Sequence, residues 1–133
     1  MRKDIILENI RQTLSNFEID LGYVIGSFLD TPDFNDVDVA ILPQRALTPY
    51  EVFRFSMHVA RKLEQSIEPR LEFDVKILNA CPTSFQYEVI NKGKLVYCRD
   101  EIIRIRYEKN VIGDFLDYAF TSQWLDEQFL IEA

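Results

Sequence analysis

Two aspartates, Asp36 and Asp38, stand two apart in the apolar run Asp36-Val37-Asp38-Val39-Ala40-Ile41-Leu42. On a β-strand, residues two apart share a face. Both carboxylates therefore project to one side, while Val37, Val39 and Ile41 project to the other. Carboxylates crowded on one face repel unless a proton or a cation lies between them. The suited cation is Mg²⁺, a hard ion that takes a few carboxylates together with substrate phosphates. A third acid, Asp74, lies in the alternating run from Leu71 to Leu78. There Leu71, Phe73, Val75 and Ile77 take one face, and Glu72, Asp74, Lys76 and Leu78 the other. If the two strands are neighbours, three carboxylates converge. Such a set holds two metal ions roughly 3.5–4 Å apart, which clamp a triphosphate and activate a hydroxyl. Upstream, Gly26-Ser27 ends the apolar run Leu21 to Ile25. Glycine lets the backbone approach a phosphate closely, and a serine hydroxyl with exposed N–H groups can hold its oxygens.

The elements that must position these residues can be read from periodicity. Ile5, Ile6, Ile10, Leu14 and Phe17 recur at helical spacing, predicting an amphipathic helix over about 3–15. Leu21 to Ile25 reads as a buried strand, Ser27 to Asn35 as a polar loop rich in turn formers, and Asp36 to Leu42 as a second strand stopped by Pro43. Thr48-Pro49-Tyr50-Glu51 is a helix start with a capping box. Val52, Phe53, Phe55, Val59, Leu63 and Ile67 supply its apolar stripe. A third strand spans Leu71 to Leu78, a turn spans Asn79 to Pro82, and a helix over Thr83 to Asn91 closes at Gly93 as a C-cap. Lys94 to Tyr97 is a short fourth strand. From Asp100 onward the pattern predicts one long helix, or two broken near Asn110 to Gly113.

The chain has 133 residues, 47% apolar and 13% aromatic, enough for one domain with a real core. A formal charge of −7 argues against a general nucleic-acid binder, because phosphate backbones demand clustered Lys and Arg. Cys81 and Cys98 match no metal-ligand spacing and read as reduced packing thiols. No signal-peptide core and no apolar run near the ~20 residues of a membrane span is present, so a cytoplasmic protein is expected. His58, next to Met57 and Val59, reads as structural. Lys76 shares the face of Asp74 and can pair with an acid or reach a phosphate, pairing being the simpler. Arg104, Arg106 and Lys109 read as a solvated face. Phe115, Tyr118, Phe120, Trp124 and Phe129 exceed what one face of a small domain must bury, which points to an interface.

Gly26-Ser27, the stretch Asn35 to Leu42 and the stretch Phe73 to Pro82 together resemble the minimal nucleotidyltransferases of the polymerase-β superfamily. The segment Tyr87 to Tyr97 is similar to the one after the third acid in that family. The resemblance covers roughly residues 1–100. It implies an α+β fold, a mixed β-sheet of about four strands flanked by helices, as a nucleotidyltransferase domain over 1–99. Residues 100–133 would be a C-terminal helical extension that packs on the core and contributes to a partner interface. It implies Asp36, Asp38 and Asp74 as ligands of two Mg²⁺ ions, with Asp74 also orienting the attacking hydroxyl. Gly26 and Ser27 would hold the triphosphate of ATP. Small members of the family are paired with a HEPN-type toxin, a ribonuclease. The implied activity is thus that of a type VII-like antitoxin, transferring AMP to a tyrosine hydroxyl of that toxin. Self-association through the C-terminal helix is a further expectation. The chain departs from the family after Gly-Ser. Phe28-Leu29-Asp30-Thr31 stands where the family has a small residue, a basic residue and a second glycine, and Asn35 precedes the first acid. That departure leaves open an alternative, a protein of this fold that neutralises its partner by binding alone.

Overall fold

The structure, a computed structural model of the chain, describes residues 2–31, 36–68 and 70–132; the side chains of residues 2, 27 and 129–132 lie outside the description. Its elements are α1 (Arg2–Leu14), β1 (Ile19–Ile25), α2 (Ser27–Asp30), β2 (Asp36–Pro43), α3 (Pro49–Ser66), β3 (Glu72–Ile77), a 3₁₀ turn (Leu78–Ala80), α4 (Thr83–Lys92), β4 (Lys94–Cys98) and α5 (Glu101–Glu132). The strands form one mixed sheet in the order β3-β2-β1-β4. β1 runs antiparallel to both β2 and β4, whereas β2 and β3 are parallel. A parallel pair needs a crossover connection, and α3 supplies it. Among the described residues, no helix is long and apolar enough to cross a membrane.

Both sheet faces are covered. On one, Ile6, Ile10 and Leu14 of α1 and Val59 and Leu63 of α3 pack on Val24, Val37, Val39, Ile41, Phe73, Val75 and Ile77. On the other, Leu21, Tyr23, Ala40 and Leu78 pack with Val89 of α4, and Tyr107 of α5 leans against them. The second cover is partial. It lies over β1 and leaves the β2–β3 half of that face open, where the acids project.

Local chemistry accounts for the helix starts. Thr48 caps α3 by accepting from the Glu51 N–H, and the Glu51 carboxylate accepts from the Thr48 N–H, with Pro49 in the first turn. Of the predicted stripes, Ile5 and Phe53 fall off the packed faces, and Phe53 is 63% exposed. The strand β1 starts at Ile19, ahead of the expected Leu21. Its Asp20 is buried, and the Arg99 guanidinium lies 2.7 Å from it, so an acid breaks the apolar pattern without breaking the strand.

One expectation is corrected: the stretch after Gly26 is not all loop, since Ser27–Asp30 make one helical turn. Gly93 closes α4 as its C-cap, as expected, with φ −77°. Glycine is needed there for space: a Cβ would stand 2.5 Å from the Val89 carbonyl oxygen and 2.8 Å from Ile25 Cγ2. The final helix is one piece. Gly113 sits in it with no neighbour to meet a Cβ, so it exacts only the propensity penalty of about 1 kcal/mol.

At 1.5 Å per residue, α5 is about 48 Å long and outruns the sheet. Its first half is anchored. Tyr107 Oη donates to Gln86 Oε1 at 2.7 Å, and Phe115 stacks on Tyr87 with centroids 4.0 Å apart. Beyond Phe115, among the described side chains, the large apolar ones are exposed: Tyr118 at 70%, Phe120 at 74% and Trp124 at 52%.

Candidate functional site

The acids meet because of the β2–β3 register. Asp38 pairs with Asp74, Asp36 with Glu72, and Ala40 with Lys76. Partners in a sheet share a face, so Asp36, Asp38 and Asp74 stand on one surface, opposite the buried Val37, Val39, Phe73 and Val75. Asp36 and Asp74 are exposed and Asp38 is half-buried between them. Burial is the largest cause holding the Asp38 carboxyl above the ordinary carboxylate range; the charges of Asp74 and then Asp36 add to it, and Lys76 works against it. Asp38 is thus the group that a cation would relieve most.

Asp74 Oδ2 lies 3.3 Å from Lys76 Nζ, the pairing expected from alternation. Among the described residues, no three His, Cys, Asp or Glu side chains are gathered closely enough to hold a metal ion. Carboxylates of like charge spread apart on their own, and here one of them leans on an ammonium. The donor set nonetheless fits a hard divalent cation: it is all oxygen, it sits on one face, and its central member is short of compensating charge. A cation that took Asp74 Oδ2 would compete with Lys76 for it.

β1 brings the Gly26 turn to this surface. Ile25 pairs with Asp38 across the β1–β2 ladder, which sets Gly26 at the end of the acid strand. Gly26 has φ +84°, and a Cβ there would stand 2.8 Å from Asp38 Oδ2. Both facts demand glycine: the backbone is left-handed, and the carboxylate occupies the space a side chain would take. The Ser27 backbone opens α2, and its side chain lies outside the described residues, as do Pro32 to Asn35. The stretch 28–31 has no basic residue of its own. Instead Lys3 of α1 reaches it, donating to the Thr31 carbonyl at 2.6 Å and standing 5.5 Å from the Phe28 ring centre.

Motif and spacing do not single out all of this surface. Glu72 stands opposite Asp36 in register and adds a fourth acid; its place in the alternation of β3 is the available signal. Tyr23, on the face shared with the acids, donates to Glu108 Oε2 at 2.6 Å, and Arg104 holds the same carboxylate at 3.0 Å. Arg104 also pairs with Glu101 at 2.6 Å, so it belongs to a network rather than to a solvated face. Burial, reinforced by Glu108, pushes the Tyr23 hydroxyl well above its ordinary pKa. This network ties α5 to β1, the strand that leads into the Gly26 turn. His58 is exposed and meets the Phe17 ring edge-on at 5.4 Å, a packing role. Cys81 and Cys98 are free thiols, each raised in pKa chiefly by burial.

No curated protein sequence matches the chain. Solved structures do. A chain of the toxin–antitoxin MntA-HepT superposes with a TM-score of 0.69 at 16% identity, covering 96% of this chain and 98% of that one. A chain from the complex of tri-AMPylated Shewanella oneidensis HEPN toxin with MNT antitoxin gives 0.68 at 16% identity, with coverages of 96% and 98%. A chain of a toxin–antitoxin solved with AMP-PNP gives 0.68 at 18%, covering 93% and 98%. At such identities the likeness is one of fold. The family model described as "Polymerase beta, Nucleotidyltransferase" matches residues 8–102, a stretch that holds the Gly26 turn and all three predicted acids. The chain belongs to the polymerase beta nucleotidyltransferase family.

Proposed function

We propose that this protein is a Mg²⁺-dependent nucleotidyltransferase acting in the cytoplasm as the antitoxin of a HEPN-type toxin, transferring AMP from ATP to a tyrosine hydroxyl of that toxin. The observation that carries the reading is the pairing of Asp38 with Asp74, with Asp36 on the same face and the left-handed Gly26 turn at its edge. In this reading Asp36, Asp38 and Asp74 hold two Mg²⁺ ions, which supply charge neutralisation for the triphosphate. Asp74 also orients the incoming phenol. Gly26 and Ser27 receive the β- and γ-phosphates. The phenolic oxygen attacks the α-phosphorus, the bond to the β-phosphate oxygen breaks, pyrophosphate leaves, and the phenolic proton passes to Asp74 and on to solvent. Such catalysis is mostly positioning and electrostatics, which suits a site made of three carboxylates and a turn.

The neighbouring folds support the choice of acceptor, since one of them comes from a complex of a tri-AMPylated HEPN toxin with its MNT antitoxin. An acidic chain also fits a protein acceptor better than a nucleic acid. Residues 1–99 form the catalytic unit in this reading. Within 100–133, the exposed Tyr118, Phe120 and Trp124 form the docking surface, for the toxin or for a second copy of the chain.

The departure of 28–31 from the family pattern favours a second reading, neutralisation by binding without transfer. The two separate in one experiment. The chain is incubated with Mg²⁺, ATP labelled in the α-phosphate, and the protein encoded by the adjacent gene. Label on that protein, abolished by Asp36→Asn, supports the enzyme. A tight complex without label, indifferent to Asp36→Asn, supports the binder.

A further inference from the structure

A cationic cleft of about 540 Å³ runs along the outer face of α3 and the segment leading into it. Arg45, Arg54, His58 and Arg61 line it, and its one acid, Glu51, is already paired with Arg45 at 2.7 Å. Tyr50, Arg54, Met57 and Arg61 recur at helical spacing and share an exposed face of α3. Arg54 stands 5.7 Å from the Tyr50 ring centre. Among the described residues, neither Arg54 nor Arg61 has a carboxylate partner. We infer that a second copy of this chain fills the cleft with the exposed end of its α5. The inference takes one of the two occupants offered above for that end, and it does not depend on nucleotidyl transfer.

The two surfaces are complementary in charge and in kind. From Asn110 to Ala133 the sequence holds Asp114, Asp117, Asp126, Glu127 and Glu132, and no Lys, Arg or His. On α5, Asp117, Phe120, Trp124 and Glu127 form an exposed stripe at helical spacing, two aromatics between two acids. The α3 face answers with two arginines set among apolar groups. Arginine pairs with carboxylates and stacks on aromatic faces, the indole best of all. Large rings supply most of the energy of such a contact, and the charges set its register. The chain's own α5 does not fill the cleft. It lies on the sheet face of Leu21 and Tyr23, whereas α3 covers the opposite face, and no α5 residue lines the cleft among the described residues. Each copy therefore has one surface to give and one to receive, and reciprocal exchange closes a two-fold dimer with two equal contacts. A net charge of −7 opposes the meeting of two copies; arginines set against acids offset that repulsion where it is greatest.

The test is sedimentation of the whole chain, purified alone, over a dilution series. The emission of Trp124, the sole tryptophan, is read in the same samples. The wild type is expected to dimerise reversibly, with Trp124 emission moving to the blue as the dimer forms, and added salt should weaken the dimer. Arg54→Glu with Arg61→Glu should weaken it about tenfold or more, and so should Asp117→Arg with Glu127→Arg. All four positions are exposed, and circular dichroism checks that both double variants fold. An equimolar mixture of the two should dimerise again, because opposite charges then face each other at both contacts. A wild type that stays monomeric throughout overturns the inference; if Trp124 emission then shifts only on adding the protein encoded by the adjacent gene, the α5 end belongs to that protein. A wild-type dimer indifferent to salt and to both double variants overturns it too, as does a mixture that stays monomeric. A monomer that still transfers label sinks this inference and leaves the transfer reading standing; a dimer of the expected kind that transfers none does the reverse.

Discussion

The acid face should destabilise the cation-free fold, and Asp38→Asn measures by how much. Adjacent strands run about 4.8 Å apart, and Asp38 and Asp74 are direct partners. Two unit charges at that distance repel by about 0.9 kcal/mol at the dielectric of water, and by more where protein displaces solvent. Asp36, two residues along, adds a smaller share, and Lys76 subtracts some of it. A net cost of about 1–2 kcal/mol is expected for ionised Asp38. The raised pKa fixes the pH window. The folded state holds this proton more tightly than the unfolded chain does, so stability falls as pH rises through the folded pKa. At acid pH, where Asp38 is protonated in the wild type, the amide should give little advantage. At neutral pH without divalent cations, Asp38→Asn should melt higher by roughly 3–6 °C for a domain of this size. Millimolar Mg²⁺ should erase that lead, because only the wild type gains binding energy from the ion. The assay is thermal unfolding at both pH values, with EDTA and with Mg²⁺. A variant equally stable or less stable than the wild type at neutral pH in EDTA would refute the idea that the acids are crowded. A lead that persists in Mg²⁺ would refute the cation.

Three further perturbations read other parts of the site. Gly26→Ala places a Cβ 2.8 Å from Asp38 Oδ2 at φ +84°; a loss of about 1–3 kcal/mol in denaturant unfolding, with loss of nucleotide binding, is expected. Lys76→Met removes an exposed ion pair, so stability should move by less than about 1 kcal/mol. Asp74 is then released, and the Mg²⁺ concentration giving half-maximal stabilisation should fall; a rise would mean that Lys76 assists the site rather than competing for it. Tyr23→Phe deletes the 2.6 Å bond to Glu108. A loss of about 1 kcal/mol in thermal or chemical unfolding is expected, since Arg104 still satisfies that carboxylate.

Features that depend on near neighbours are legible in the sequence. The capping box at Thr48 and Glu51 lies within four residues, and it forms as expected. Alternation places Asp36, Asp38, Asp74 and Lys76 on their faces, because the side-chain period of a strand is fixed. What alternation cannot supply is which strand lies beside which. The pairing of Asp38 with Asp74 depends on α3 returning the chain parallel to β2, so from sequence it is only a condition. The early start of β1 is hidden because Asp20 finds its partner, Arg99, 79 positions away. The helical turn at 27–30 is hidden by its shortness.

The choice between an enzyme and a pure binder turns on what each would ask of this surface. A binder that works through the exposed end of α5 has no use for acids on the open β2–β3 half of the sheet. There the ladder sets four acids, Asp36, Glu72, Asp38 and Asp74, in two facing pairs, with Lys76 the one basic residue among the described β2 and β3 positions. Like charges directly opposite each other weaken a sheet, and a hydrophobic or mixed-charge pair at 38 and 74 would hold the strands together better. The Gly26 turn compounds the burden: it adopts a conformation that side chains avoid, and the space it leaves is filled by the carboxylate that is already the most crowded. Each feature taken alone is a local defect, and together they make a surface that a divalent cation and a polyphosphate would repair. The stretch 28–31 has no basic residue of its own, so in the transfer reading the task of neutralising the phosphates would fall to the metal ions. On this argument the acids matter more here than in a relative with a basic loop, and ATP binding should depend steeply on Mg²⁺. Titrating ATP at a series of Mg²⁺ concentrations tests this directly. Binding that is flat with Mg²⁺ would leave the acid face without a purpose and return the protein to the binder.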